Sequence, residues 1–329
     1  MGIPIKKSQI KKILIIKNDH IGDIILSSCV FREIRKNFPR AKITLIASGS
    51  NKQIVEKNKN INEIIILRYS PRKIKEFLNY LEVSRRLKKE NIDLGIDLRG
   101  GFFNIFFLLF LPGIKYRVGF YNQYIGKFFL NYAEKKTHWT KFNNHVTLSR
   151  IELLNKSLGL KAKNNWPDIA TDKDDKKAMK KIIEERKLKR FICIVPDARA
   201  DKQWPIENFD KLIKEIKQKY PKEQIVLVGS NKEEIGCLAD KNPGVVQLLN
   251  ENLRVVYLLF QKSELVIAHD GGPVHLAWAG RAKTLDLIEK RLPLEWIKPL
   301  GKNSYYIYDD LKNLSVENVL KEVEKILKR

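Results

Sequence analysis

The chain of 329 residues is poor in several features that would each decide its class. Three cysteines, Cys29, Cys193 and Cys237, are scattered without metal-ligand spacing and leave an odd total. That excludes a disulfide framework and fits a reducing cytoplasm. Cys193 lies in an apolar run of strand length and reads as a small buried hydrophobe. No long hydrophobic run is present. The most apolar window, FFNIFFLLFL at 102–111, is about half the length of a membrane span. The first nine residues lead into a strand with no h-region and no small-residue cleavage site, so a leader peptide is not expected. GxGxxG is missing, so a dinucleotide fingerprint is not supported. No Asp-x-Asp pair stands at a strand end; Asp172, Asp174 and Asp175 fall in a polar linker. Neither a metal nor another cofactor is expected.

Acidic residues are scarce in one half. The first 165 residues hold 32 basic and 12 acidic side chains, the remainder 31 and 26, within a net charge of +25. A uniform lysine bias, which merely solvates a surface, would touch both halves equally. A field this lopsided favours an anionic partner: a phosphorylated substrate, an anionic membrane surface or nucleic acid.

What is present is an alternation of strands and helices. Apolar runs predict strands at 13–17, 43–47, 63–67, 92–97 and 117–120. Helical periodicity marks 24–37, ended by Pro39, and also 74–89 and 102–111. A polar stretch at 161–175 marks a domain boundary. The pattern then restarts, with strands at 190–195, 224–228, 245–248 and 265–268 and helices at 174–187, 206–219, 231–240, 253–261 and 316–328. This is an α/β chain of two doubly wound domains, in which ligands bind outside the carboxyl ends of the strands. The adjacent Phe102, Phe103, Phe106 and Phe107 read as one helix's buried face in preference to an apolar lip touching lipid.

Two segments stand out, KNDHIGDIILSS at 17–28 and LVIAHDGGPVHLAWA at 265–279. Each is a strand that breaks at glycine into a helix, which gathers free N–H groups and the positive end of a helix dipole at one spot. Asp23, at a helix start, reads on spacing alone as a cap before it reads as a base. His20 carries less information still. In DGGP, Asp270, Gly271 and Gly272 leave the backbone bare before Pro273, with His275 following. An anion site is favoured there over a merely tight turn. Arg199 and Lys202 lie in the loop PDARADKQWP, where two cations can neutralise a diphosphate or simply be solvated. In GSNKEE a carboxylate can accept from ribose hydroxyls or cap a helix.

Taken in order, these motifs, with DLRG at 97–100, RVGF at 117–120 and the spacing of Pro293, Trp296, Pro299 and Gly301, resemble glycosyltransferase family 9, the heptosyltransferases of lipopolysaccharide core assembly. The resemblance covers most of the chain. It implies a GT-B fold, two Rossmann-like domains facing across a cleft: 1–165 for the acceptor and 166–329 for the nucleotide sugar. Helix 316–328 is a candidate to pack back on the N-terminal domain. It implies an inverting, metal-independent transfer from a nucleotide-diphospho-sugar, typically ADP-heptose, to a phosphorylated lipid-linked glycan. Asp23 matches the family's general base, and Lys202 the lysine on the donor phosphates. Asp270, Gly271 and Gly272 match the donor site, with Arg199 and His275 beside them, and Glu233 or Glu234 the nucleoside contact. Lys17, His20, Arg99 and Arg117 are the expected acceptor-binding residues.

Two departures bear on the donor. Asp197 and Ala198 stand where relatives usually have Gly or Thr, and Glu289 and Lys290 replace a Phe-Gly pair. A carboxylate beside a diphosphate is unfavourable, so Asp197 is expected to point away or the donor contacts to differ. The chain is expected in the cytoplasm, peripheral on the anionic inner membrane. No nucleic-acid-binding module is recognisable. The alternatives are a non-catalytic sugar-nucleotide-binding relative and, below it, a basic nucleic-acid-binding protein.

Overall fold

The computed structural model describes residues 6–68, 71, 73–135 and 144–328. It divides into two compact units, Met1–Ala170 and Thr171–Arg329. The first contains β1 (Lys12–Lys17), β2 (Lys42–Ala47), β3 (Glu63–Ile66), β4 (Leu94–Asp97), β5 (Tyr116–Tyr121) and β6 (Tyr132–Lys135). They form one parallel sheet in the order β3-β2-β1-β4-β5-β6. The second contains β7 (Phe191–Val195), β8 (Gln224–Gly229), β9 (Val246–Leu249), β10 (Leu265–His269), β11 (Thr284–Glu289) and β12 (Ser304–Asp309). Its order is β12-β11-β10-β7-β8-β9, again parallel throughout. The two orders are the same winding. Each reverses direction between its first and fourth strands, and the crevice for a ligand opens at that point.

The central strands are unbroken apolar runs because both faces are covered by helices. Ile13, Leu14, Ile15 and Ile16 in β1 and Leu265, Val266 and Ile267 in β10 are wholly buried. Cys29 and Cys193 are buried thiols, and burial pushes Cys29 up to about 12. The helix expected at 24–37 is two, Ile21–Ile25 and Ser28–Asn37. Ser27 Oγ donates to the Asp23 carbonyl (2.8 Å) and Ser28 Oγ to the Ile25 carbonyl (2.7 Å), competing with the ladder at the joint.

One expectation is corrected. The stretch after β4 is a π-helix, Asn104–Phe110, whose buried residues are Asn104, Ile105, Leu108 and Leu109. Phe102, Phe103, Phe106 and Phe107 are only half-buried, Phe103 and Phe107 packing against the core formed by Ile105, Leu108 and Leu109. The final helix, Val316–Leu327, puts Val319, Val323 and Ile326 into the second unit's own core with Phe209, Leu212 and Ile216. Among the described residues no helix is long and apolar enough to cross a membrane.

Candidate active site

At the carboxyl end of the first sheet, charged groups interlock at the winding reversal. Lys17, the last residue of β1, is wholly buried and donates to Asp19 Oδ2 (2.8 Å) and Asp23 Oδ1 (3.1 Å). Arg150, buried in the helix Val146–Leu158, donates to the same Asp23 Oδ1 (2.9 Å) and to the Asp23 carbonyl (3.1 Å). Arg99 donates to Asp19 Oδ2 (2.7 Å). Asp97, at the end of β4, accepts from the Arg99 and Gly100 N–H groups. Burial pushes Asp97 up to about 6, against the pull of those N–H groups and of Lys17. The result is a carboxylate, Asp23, 36% exposed and braced from below by two cations on one oxygen. Such bracing orients a carboxylate toward solvent without burying it.

The second sheet carries a different set. Lys202 reaches from the loop after β7 to the turn after β10. Its Nζ donates to the Asp270 carbonyl and to Asp270 Oδ2 (3.0 Å). Gly271 follows at φ +157 and ψ −160, a region essentially confined to glycine. A Cβ there would lie 3.7 Å from the Lys202 ammonium. The helix Gly272–Ala279 opens with Pro273 in its first turn, so its free N–H groups and dipole sit beside that ammonium. His275 Nε2 is 3.6 Å from Asp270 Oδ1, inside ion-pair range but too long for a hydrogen bond. The arrangement sets one ammonium, paired with Asp270, beside the open N–H groups of a helix start, a place where an anion can bind.

Two residues here escaped the sequence reading. His269 accepts from the Trp204 N–H (2.8 Å), which ties the end of β10 to the Lys202 loop. Burial and then Lys202 push it down to about 3, so it is neutral. Asp286, in β11 beside Ala268, is wholly buried, and neither carboxyl oxygen has a hydrogen-bond partner. Burial, then Asp270, push its pKa well up, with Lys202 pulling the other way. A carboxyl group whose charged form burial disfavours thus lies near the Lys202–Asp270 pair. An aspartate inside TLDLIE alternates like any strand residue, so the sequence held no signal for it.

The expected site residues sort unevenly. Asp23, Lys17 and Arg99 meet at one sheet end, with His20 exposed at the start of the helix Ile21–Ile25. Lys17 is corrected from an acceptor contact to an internal brace, because none of its surface reaches solvent. Arg117 is corrected as well. It lies near the start of β5, paired with Gly95, and donates to the Phe129 and Ile114 carbonyls, at the sheet end away from Asp23. In the second unit Lys202, Asp270, Gly271, Gly272 and His275 converge. Arg199 does not join them; its exposed guanidinium pairs with Asp201 at 3.0 Å. Glu234 accepts from Gln203 Nε2 (3.2 Å), while Glu233 is exposed.

Both departures are engaged elsewhere. Asp197 Oδ2 accepts from the Ser230 hydroxyl (3.0 Å) and the Asn231 N–H (3.1 Å). Gly229 permits this approach, since a Cβ there would lie 2.7 Å from the Asp197 oxygens and 2.6 Å from Ile235. Glu289 is buried, accepting from Arg291 Nε (3.0 Å) and the Leu311 N–H (3.3 Å).

Comparison with known proteins gives a consistent result. The family model described as glycosyltransferase family 9 (heptosyltransferase) matches residues 80–324. The chain is 22% identical to the lipopolysaccharide core heptosyltransferase OpsX of Haemophilus influenzae, over 96% of this chain and 88% of that protein. Its fold is that of the E. coli ADP-heptose lps heptosyltransferase II, with a TM-score of 0.78, 20% identity and coverage of 96% and 98%. It is also that of E. coli heptosyltransferase WaaC with ADP, with a TM-score of 0.75, 18% identity and coverage of 96% and 99%. These are GT-B structures, and the expected fold class holds.

Proposed function

This chain belongs to glycosyltransferase family 9, and from that premise we propose that it transfers heptose from ADP-heptose to a lipopolysaccharide-core acceptor. That it is a glycosyltransferase follows from the family. The donor, the acceptor and the residue roles are the proposal. The observation that carries it is the Lys202 ammonium held on Asp270 beside Gly271, at the open start of the helix Gly272–Ala279.

In this reading the diphosphate leaves with its charge taken up by Lys202 and by the N–H groups after Gly271, without a metal. Asp23 accepts the acceptor hydroxyl's proton as the new glycosidic bond forms and the anomeric C–O bond to the diphosphate breaks. One displacement inverts the anomeric carbon. Lys17 and Arg150 hold the carboxylate in position, and Glu234, tied to Gln203, stands where a ribose hydroxyl would donate. The relatives add weight to the donor, since one is named for ADP-heptose and another is a structure with ADP. The engagement of Asp197 by Ser230 and Asn231, and of Glu289 by Arg291, supports a working donor mouth over a silent one.

The test is transfer from ADP-heptose to core lipopolysaccharide lacking heptose, beside thermal-shift titrations with ADP, UDP, GDP and CDP. ADP alone should stabilise the chain. Asp23→Ala should lower turnover about 100- to 10,000-fold and leave the ADP shift intact. Stabilisation by another nucleotide, or near-normal turnover of the variant, would reject the donor or the base respectively.

A further inference from the structure

Eight of the chain's 15 phenylalanines lie between residues 98 and 133, a stretch with four basic side chains and no Asp or Glu. In the first unit six of them form one layer. Along the π-helix Phe102 stacks on Phe106 (5.5 Å), Phe106 on Phe110 (5.7 Å) and Phe103 on Phe107 (5.8 Å). Phe129 closes on Phe110 at 4.8 Å and on Phe106 at 5.2 Å. Phe77, from the helix Ile74–Glu90, meets Phe107 at 5.4 Å.

The base of this layer packs on the core, and its outer edge does not. Phe128 is 80% exposed, Ile74 81%, Tyr124 65%, Leu78 56% and Ile125 52%. The helix Ile74–Glu90 therefore has two apolar faces. Tyr80 and Leu87 are buried, while Ile74, Phe77 and Leu78 turn outward at helical spacing. Gly126 seats the short helix Tyr124–Lys127 on the π-helix, since a Cβ there would lie 3.0 Å from Ile105. Scattered exposed hydrophobes are ordinary; a contiguous aromatic edge is not. Cations rim it. Lys135 Nζ lies 5.0 Å from the Tyr124 ring, Lys115 Nζ 5.0 Å from Tyr116 and the Arg117 guanidinium 5.6 Å from Phe110. Lys73, Lys75 and Lys127 are exposed beside it.

We infer that this face docks the first unit on a bilayer containing anionic lipid. The aromatic edge sits at the boundary of headgroups and acyl chains, and the lysines sit among the phosphates. A second copy of the chain is the poorer occupant, because a two-fold contact would press two cationic rims together. No described helix is long enough to span, so the contact is interfacial. The inference deepens the proposed lipid-linked acceptor and rests on that reading for the purpose of docking, not for the docking itself.

The test is flotation of the full chain with phosphatidylethanolamine vesicles, with and without phosphatidylglycerol, at low and high salt. The chain should float with phosphatidylglycerol at low salt and lose binding at high salt. Ile125→Ser with Phe128→Ser, and separately Ile74→Ser with Leu78→Ser, should each weaken partitioning roughly 10- to 100-fold, with circular dichroism unchanged. Transfer to a vesicle-borne acceptor should fall with them, and transfer to a delipidated acceptor should not. A chain that floats yet transfers to neither acceptor would reject the heptosyl reading and keep the docking face. Failure to float on phosphatidylglycerol, flotation undiminished in both double variants, or a dimer that these substitutions dissolve would overturn it.

Discussion

The carboxyl ends of the two sheets are built on one winding and charged in opposite ways. At the first, Lys17 and Arg150 grip a single carboxylate, Asp23, and Arg99 neutralises Asp19. Cations lie beneath and an acid faces solvent. At the second, two acids, Asp270 and Asp286, and the neutral His269 surround one ammonium, Lys202. Here a cation is held by one carboxylate, that of Asp270. The same backbone scaffold thus presents a braced carboxylate at one end and a paired ammonium at the other. Which chemistry an end offers depends on the sign of the side chain left outermost, not on the fold.

Among substitutions of the cations at the two ends, the one at the second should cost most. Lys202→Ala removes its cation and leaves Asp270 facing any incoming diphosphate. Turnover should fall about 100- to 1,000-fold and donor affinity with it, measured by initial rates and by titration with ADP. If only the Michaelis constant moves, Lys202 binds the donor without easing its departure.

The first end should be sharpened by Arg150→Lys. The charge stays, but the forked reach to both the carboxylate and the carbonyl of Asp23 is lost. Turnover should drop roughly 10- to 100-fold with the donor's Michaelis constant unchanged and the melting temperature nearly so. A loss of stability with normal turnover would make Arg150 a strut and nothing more.

The smallest effect separates the two ends by pH. A group that holds its proton more tightly folded than unfolded costs stability as pH rises above its unfolded pKa, until the folded pKa is passed. Asp97, raised to about 6, should stop contributing above that pH. Asp286, raised well beyond the usual carboxylate range by burial and Asp270, should go on costing stability at higher pH. In thermal melts from pH 4 to 8, Asp286→Asn should gain on the parent chain by roughly 2–4 °C or more, while Asp97→Asn shows a constant offset above pH 6. A flat difference for Asp286→Asn would mean that its carboxyl is partnered in solution.

The alternation of buried runs and amphipathic stretches declares the parallel α/β class in the letters alone. Ile13–Ile16 and Leu265–Ile267 can sit nowhere but a doubly covered strand. The glycine turns after β1 and β10 stand out in the letters too, which is why Asp23, Asp270 and Gly271 are candidates from sequence, with Lys202 drawn from the loop after β7. Edge strands were harder. The residues of β12 alternate weakly and are half-exposed, so periodicity did not announce them. Arg150 lies 127 residues from Asp23 and Asp286 lies 84 from Lys202, distances over which a pattern reader has no reach. Lys17 looked like a ligand contact and is an internal brace, while the phenylalanines of 102–107 looked buried and are half-buried. Local order follows from hydrophobic period and turn chemistry, which are written in neighbouring residues. Charge partnership and the direction a side chain faces are set by strands and helices that only folding brings together.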